Sequence, residues 1–298
     1  MSRRLEAGLA SSARLVITVA LTGLPALVQA ADVQVFHADS LAGPMREVKK
    51  AFEAKRPGAN VVLTSGVSRQ LAERILSGET VDVFAPSSPA VIDEDLMNKP
   101  VTGAGPGAGK PAATWYVVFS ANEMVIITAK GNPLGIKRVS DLARPGLRFV
   151  RVNGEKDLAT GRTVSFLQRA TAAEGEPALA QKIIDGAPAS VGEPGKPVTV
   201  PAAVDAVKQG KADAAVVYYS AAVAVRDDVA IVRFADSVNM SEAIRNAATV
   251  PGTASNGADG TAFVAFLLTP EAQRILQDTG QPPVVPAIRK GAMPTAIP

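Results

Sequence analysis

Hydrophobic positions along this chain fall into three kinds of run. The first is the stretch 15–24, ten residues without a charge, preceded by Arg3, Arg4 and Arg14 and followed by Pro25 and Val28-Gln29-Ala30. A bilayer-spanning helix needs roughly 20 apolar residues, so this run predicts a removable secretory signal over residues 1–30, cleaved after Ala30. The second kind alternates with period two or is short and wholly apolar, as strands do. Val33-Gln34-Val35-Phe36, residues 60–64 (NVVLT), 81–85 (VDVFA), 124–129 (MVIITA), 147–152 and 213–218 (DAAVVY) read this way. The third kind recurs at helical spacing. Leu41, Met45, Val48 and Phe52 mark a helix over 41–55, and further helices are predicted over 70–77, 161–171, 201–209 and 261–277.

Strand and helix signals therefore alternate, the pattern of an α/β fold with helices packed on parallel strands. In such sheets ligands bind beyond the carboxyl ends of the strands, near helix N-termini. Ser40 and Ser68 each follow a strand and precede a helix, Ser40 where a helix N-cap belongs. Two such serines in consecutive units point to one shared site. Residues 98–114 are rich in Gly, Ala and Pro and read as a surface loop. The run Gly105 to Lys110 lacks both the spacing and the following Ser or Thr of a phosphate-cradling loop.

Composition narrows the chemistry. Without residues 1–30 the 31 basic and 28 acidic groups fall to 28 and 27, a net of +1. That balance does not suit a nucleic-acid binder. The remaining 268 residues fit two lobes of ordinary size. The sequence has no cysteine and one histidine, His37. These counts remove a Cys–His dyad, a histidine zinc cluster and a lipid-modified N-terminal cysteine. A Ser–His–Asp triad would have to use His37 at a strand end, and Glu155 and Asp157 read as solvated loop carboxylates.

Several segments, taken in order, resemble the periplasmic substrate-binding proteins of molybdate-type ABC importers. They are Ala38-Asp39-Ser40-Leu41, Ser65-Gly66-Val67-Ser68 leading into Leu71-Ala72-Glu73-Arg74-Ile75, and Val81 to Ala85. Thr160-Gly161-Arg162, Val200-Pro201-Ala202-Ala203, Gly210 to Tyr218 and Thr261 to Leu276 follow. Their order and spacing, rather than any one motif, carry the resemblance over nearly all of 31–280.

The resemblance implies the type II periplasmic-binding fold, an α/β architecture of two lobes with the ligand cleft between them. Lobe one would hold 31–118, lobe two 119–230, and 231–298 would return to lobe one. Hinges are expected near 115–122 and 219–234, which puts Trp115 beside a hinge. Ser40 and Ser68 would supply hydroxyl and backbone donors, Thr160 and Val200 backbone N–H groups, and Tyr218 its phenol. The ligand would be a tetrahedral oxyanion, with molybdate first and tungstate and sulfate open, held without a cofactor or a bound cation. The partner would be an inner-membrane ABC permease, and the receptor a monomeric non-enzyme.

Uncharged donors at helix N-termini suit such a dianion, and a pocket without acceptors would reject protonated oxyanions. Trp115 to Glu123 is closer to a tungstate/molybdate branch in which carboxylates complete a six-coordinate oxyanion. That branch carries Glu where this chain has Val217, and Asp157 falls at its aspartate. A four-coordinate site is the preferred expectation. The rivals are an organic anion met by Arg69 or Arg162, and an exported hydrolase or transferase.

Overall fold

The computed structural model describes residues 32–298 apart from Lys156 and Gly192. The expected signal stretch and the cleavage position after Ala30 lie outside the described residues. The chain opens with β1 (Val33–Ala38), a 3-10 turn (Asp39–Leu41), α1 (Ala42–Lys55), β2 (Val61–Gly66), α2 (Ser68–Leu76) and β3 (Val83–Ala85). The short α3 (Pro89–Val91) and a long loop lead to β4 (Trp115–Ala121) and β5 (Met124–Ala129). Then come β6 (Phe149–Arg151), α4 (Leu158–Ala173), α5 (Leu179–Gly186), α6 (Val200–Lys208), β7 (Ala214–Tyr218), α7 (Tyr219–Val223) and β8 (Val229–Val232). The chain ends through β9 (Arg245–Ala248), α8 (Gly257–Leu267), α9 (Pro270–Asp278) and β10 (Pro283–Gly291).

Two sheets organise these elements. In the first, β1 lies between β2 and β3, all parallel, with Val35 opposite Leu63 and Val83. An antiparallel bridge from Phe84 to Thr249 joins β3 to the strand group β10-β4-β9. The second sheet runs β6-β7-β5-β8, parallel only between β6 and β7. The chain passes from one sheet to the other at Asn122-Glu123 and returns between Val232 and Arg245. Trp115 belongs to the first sheet, opposite Gly291 and buried in that core, away from both crossings.

Each sheet is buried on both faces, which is why its strands read as apolar runs. Val33 and Val35 pack on one side of the first sheet with Leu41, Met45, Phe52 and Phe263. Phe36 packs on the other with Ile75, Phe84 and Leu96. Phe52 meets Phe263 and Phe266 edge-on, with ring centroids 5.1 and 5.5 Å apart. Full burial of each such ring contributes about 1.5–3 kcal/mol. In β7 the same alternation sends Val217 into one core and Tyr218 toward the other.

Asp82, from the 81–85 segment, is fully buried and ties the first sheet together. Its carboxylate accepts from the backbone N–H of Gln34 (2.9 Å) and of Asn256 (2.7 Å). Gly260 of α8 lies so close that a Cβ there would sit 2.3 Å from the Asp82 carbonyl oxygen. The role of Asp82 is architectural.

Two departures from the periodicity have clear causes. The helix expected over 261–277 is two helices. Thr269 caps the second by accepting from the N–H of Ala272 (3.3 Å), and Pro270 takes its first position. The strand β10, unread in the sequence, carries Pro283 and Pro286 and lies at the edge of its sheet, where a missing N–H is tolerated. Among the described residues no helix is long and apolar enough to cross a membrane.

Candidate functional site

A small pocket lies where the two sheets face each other. Ala38, Asp39, Ser40, Gly66, Val67, Ser68 and Ser87 line it from the first sheet. Asp157, Leu158, Val200 and Tyr218 line it from the second. Its cavity volume is about 20 Å³. That suits a compact solute of a few atoms and not a sugar or a peptide.

Three helices begin at this pocket. Val67 and Ser68 are the cap and first residue of α2, Asp157 and Leu158 those of α4, and Val200 is the first residue of α6. The first N–H groups of a helix have no partner within it, and each N-terminus carries about half a positive charge. Convergence of three from both sides makes the pocket attractive to an anion.

The serines do not cap these helices. Neither Ala38, ahead of the 3-10 turn, nor Leu41, ahead of α1, makes a side-chain cap, and the cap position of α2 is Val67. The expected capping position of Ser40 is thereby corrected: the intervening turn moves it ahead of the helix. Its hydroxyl is buried, with the residue 5% exposed, and has no hydrogen-bond partner. A buried polar atom without a partner is costly unless something fills the role. The Ser40 carbonyl, by contrast, is held firmly: it accepts from Ser220 Oγ (2.7 Å) and Gln281 Nε2 (3.1 Å). Asn122, at the first crossing, donates to Ser220 Oγ (2.9 Å), and Asn246 donates to Gln281 (2.6 Å). Both inter-sheet passages thus help to fix Ser40.

Ser68 Oγ accepts from the N–H of Ser87 (3.2 Å) and lies 3.5 Å from the Ser87 hydroxyl oxygen. Tyr218 closes the other wall and is 3% exposed. Burial pushes its phenol above the ordinary tyrosine value, against the pull of Arg162, so it remains a donor at neutral pH. Arg162, on α4, donates from Nη1 to the Tyr218 hydroxyl (2.8 Å). It also reaches across to Ser87, with Nη1 3.3 Å from Oγ and Nη2 2.7 Å from the carbonyl oxygen.

The structure brings Ser40, Ser68, Val200 and Tyr218 to one pocket. Thr160 is not among its lining residues. Its N–H donates to the Asp157 carbonyl (3.0 Å) and its hydroxyl to that of Gly154 (2.8 Å), so Leu158 stands at the wall instead. Two carboxylates also face the pocket, which corrects the expectation of a wall without acceptors. Asp39 accepts from Ser65 Oγ, and Asp157 accepts from the Ala159 N–H (2.9 Å) as the cap of α4. Burial raises the Asp157 carboxyl above its ordinary value; the Ala159 N–H opposes this, the Asp39 charge adds to it, and Arg162 opposes it. Arg69 is engaged elsewhere, with Glu94 and Asp95 (2.6 and 2.7 Å). Glu123 pairs with Arg233 (2.6 Å) and Asn239 (2.6 Å) at the crossing and is not among the lining residues. Ser87 was not anticipated, and its signal in the sequence is the Pro86-Ser87-Ser88-Pro89 turn directly after β3.

Two sheets with a small polar pocket between them define a two-lobed solute-binding protein. The chain belongs to the bacterial extracellular solute-binding protein family, whose model matches residues 33–281. It is 30% identical over 251 residues to the molybdate-binding protein ModA of Mycobacterium tuberculosis, covering 84% of each chain. Its fold is similar to the sulfate-binding protein SubI of M. tuberculosis, with a TM-score of 0.64, 18% identity and coverage of 86% and 88%. It is also similar to the periplasmic molybdate-binding protein of Azotobacter vinelandii, with a TM-score of 0.63, 16% identity and coverage of 85% and 99%. Among the described residues no group of three or more His, Cys, Asp or Glu side chains is placed to hold a metal ion.

Proposed function

We propose that this chain is an exported, periplasmic receptor that captures a tetrahedral oxyanion and hands it to the inner-membrane permease of an ABC importer. Molybdate is the first candidate and tungstate the next. The receptor acts by binding alone, as a monomer and without a cofactor, after cleavage behind Ala30. Closure swings the two sheets about the passages at Asn122-Glu123 and between Val232 and Arg245, the hinge type of motion. The 30% identity to a molybdate-binding relative supports the choice of anion.

The observation that carries this reading is the Ser40 hydroxyl. It is a buried donor without a partner, in a pocket where three helix N-termini and the Tyr218 phenol converge. An oxyanion would give that hydroxyl its missing acceptor and take the partial charges of the helix ends. Because Asp39 and Asp157 supply acceptors, hydrogen phosphate belongs among the anions to be tested.

The test is the melting temperature of the mature chain with millimolar molybdate, tungstate, sulfate or phosphate. A ligand bound only by the folded state raises stability with its concentration, by about 2.7 kcal/mol at a hundred times its Kd. Molybdate is expected to raise the melt most. No shift with any of the four overturns the oxyanion reading, and a shift with sulfate or phosphate alone overturns molybdate. Trp115 is a poor fluorescence reporter for this purpose, being packed in the core of the first sheet.

A further inference from the structure

Arg162 is the one pocket neighbour whose side chain joins both walls by charged hydrogen bonds among the described residues. It rises from the first turns of α4, on the second-sheet side, and ends on Ser87 of the first-sheet side. Its Nη1 shares donors between the Tyr218 and Ser87 hydroxyls, and its Nη2 takes the Ser87 carbonyl. We infer that Arg162 is a positioning residue: it latches the closed lobes and fixes the Tyr218 and Ser87 hydroxyls as donors toward the bound anion. This inference rests on the oxyanion reading above and adds to it the device that sets hydroxyl polarity.

The physical argument begins with what a hydroxyl can do. Ser and Tyr oxygens both donate and accept, so a wall of hydroxyls has no fixed polarity. A guanidinium only donates. Where its N–H groups occupy the acceptor sites of Tyr218 and Ser87, the hydrogens of those hydroxyls turn away from it. Ser87 in turn gives its backbone N–H to Ser68 Oγ (3.2 Å), and the two hydroxyl oxygens lie 3.5 Å apart, so Ser68 is tied to the residue that Arg162 holds. One cation thereby orders hydroxyls from both walls.

Geometry makes arginine specific for this task. Its planar fork spreads two nitrogens over three acceptors on two separate elements, which the compact ammonium of lysine does not do. The bonds to Ser87 exist only when the lobes are together, so their energy opposes opening. An anion held in the closed pocket should leave slowly when they are present and quickly when they are absent.

The experiment is stopped-flow binding and release of molybdate by the mature wild-type chain, Arg162→Gln and Arg162→Lys; sulfate is used if sulfate alone raises the melt. Arg162→Gln is expected to raise koff about tenfold or more, the scale of losing hydrogen bonds to a charged group, while kon does not fall. Arg162→Lys keeps the charge and loses the fork, so it should not restore the wild-type koff. A merely structural role would lower the fraction of competent protein without this split between the rates. An unchanged koff in Arg162→Gln, or full restoration by Arg162→Lys, overturns the inference. Failure of the wild-type chain to bind any of the four anions would instead overturn the functional reading itself.

Discussion

On the first-sheet side of the pocket the donors come from Ser40, Ser68 and Ser87, set by loops that leave parallel strands. On the second-sheet side they come from the starts of α4 and α6 and from one phenol steadied by Arg162. The two walls also differ in how tightly they are satisfied before any ligand arrives. Ser40 Oγ has no partner, whereas the Tyr218 hydroxyl already accepts from Arg162. One wall carries an unpartnered hydroxyl; the other is pre-ordered by a charge. Parallel strands deliver equivalent loops to one edge, and small hydroxyls suffice there. The second sheet is mostly antiparallel, so fewer strand ends reach the pocket, and a long side chain makes up the distance.

The largest expected effect comes from breaking what holds the walls together. Gly280 has φ +81°, and a Cβ there would lie 2.9 Å from the Cα of Ser220. Gly280→Val would combine a left-handed backbone with a clash at the residue that supports Ser40. We expect a loss of at least about 2 kcal/mol in urea unfolding, with anion binding lost as well.

A paired comparison of the walls should show a middle-sized effect. Tyr218→Phe and Ser40→Ala should each weaken anion binding, by about 1.5–3 kcal/mol for a hydrogen bond to a charged group. Their ligand-free stabilities should differ. Tyr218→Phe removes a bond that Arg162 already makes and should cost about 1 kcal/mol. Ser40→Ala removes a hydroxyl that bonds nothing, so the ligand-free melt should not fall. Equal losses of stability would erase the distinction between the walls.

The smallest effect is one of pH. His37 is the last but one residue of β1, next to the pocket-lining Ala38, with Nδ1 donating to the Ala38 carbonyl (2.9 Å). Burial holds its pKa below the ordinary value; the Ala38 bond and the Asp39 charge oppose this, and the Arg46 charge adds to it. A depressed folded-state pKa means that the unfolded chain binds the proton better. Stability is therefore full above the ordinary histidine pKa of 6.5 and declines as pH falls below it toward the folded value. The urea midpoint should drop between neutral and mildly acid pH, and by less in His37→Gln. An equal drop in both would remove His37 as the cause.

Much of this was legible because short-range rules govern it. The run of apolar residues in β5 and the spacing of Leu41, Met45, Val48 and Phe52 each follow from which faces must be buried. The placement of Ser40 and Ser68 follows from strand-to-helix order. Thr160 shows the limit of that reasoning. It lies near the start of α4, but its N–H is already taken by the Asp157 carbonyl. Leu158, two residues earlier, stands at the pocket instead. Asp157 shows another limit: the demand for a helix cap places a carboxylate in a wall that anion chemistry alone would leave free of acceptors.

The sequence by itself determined the alternating α/β pattern and the residue types that line the pocket, and it carries the expectation of an export signal at residues 1–30. These depend on local periodicity and composition, which one chain displays directly. Only the tertiary structure decided which helix starts converge, that Ser40 keeps a buried unpaired hydroxyl, and that Arg162 reaches Ser87. Those residues lie far apart in sequence. Their meeting depends on how two separately packed sheets are set against each other, which no local pattern encodes.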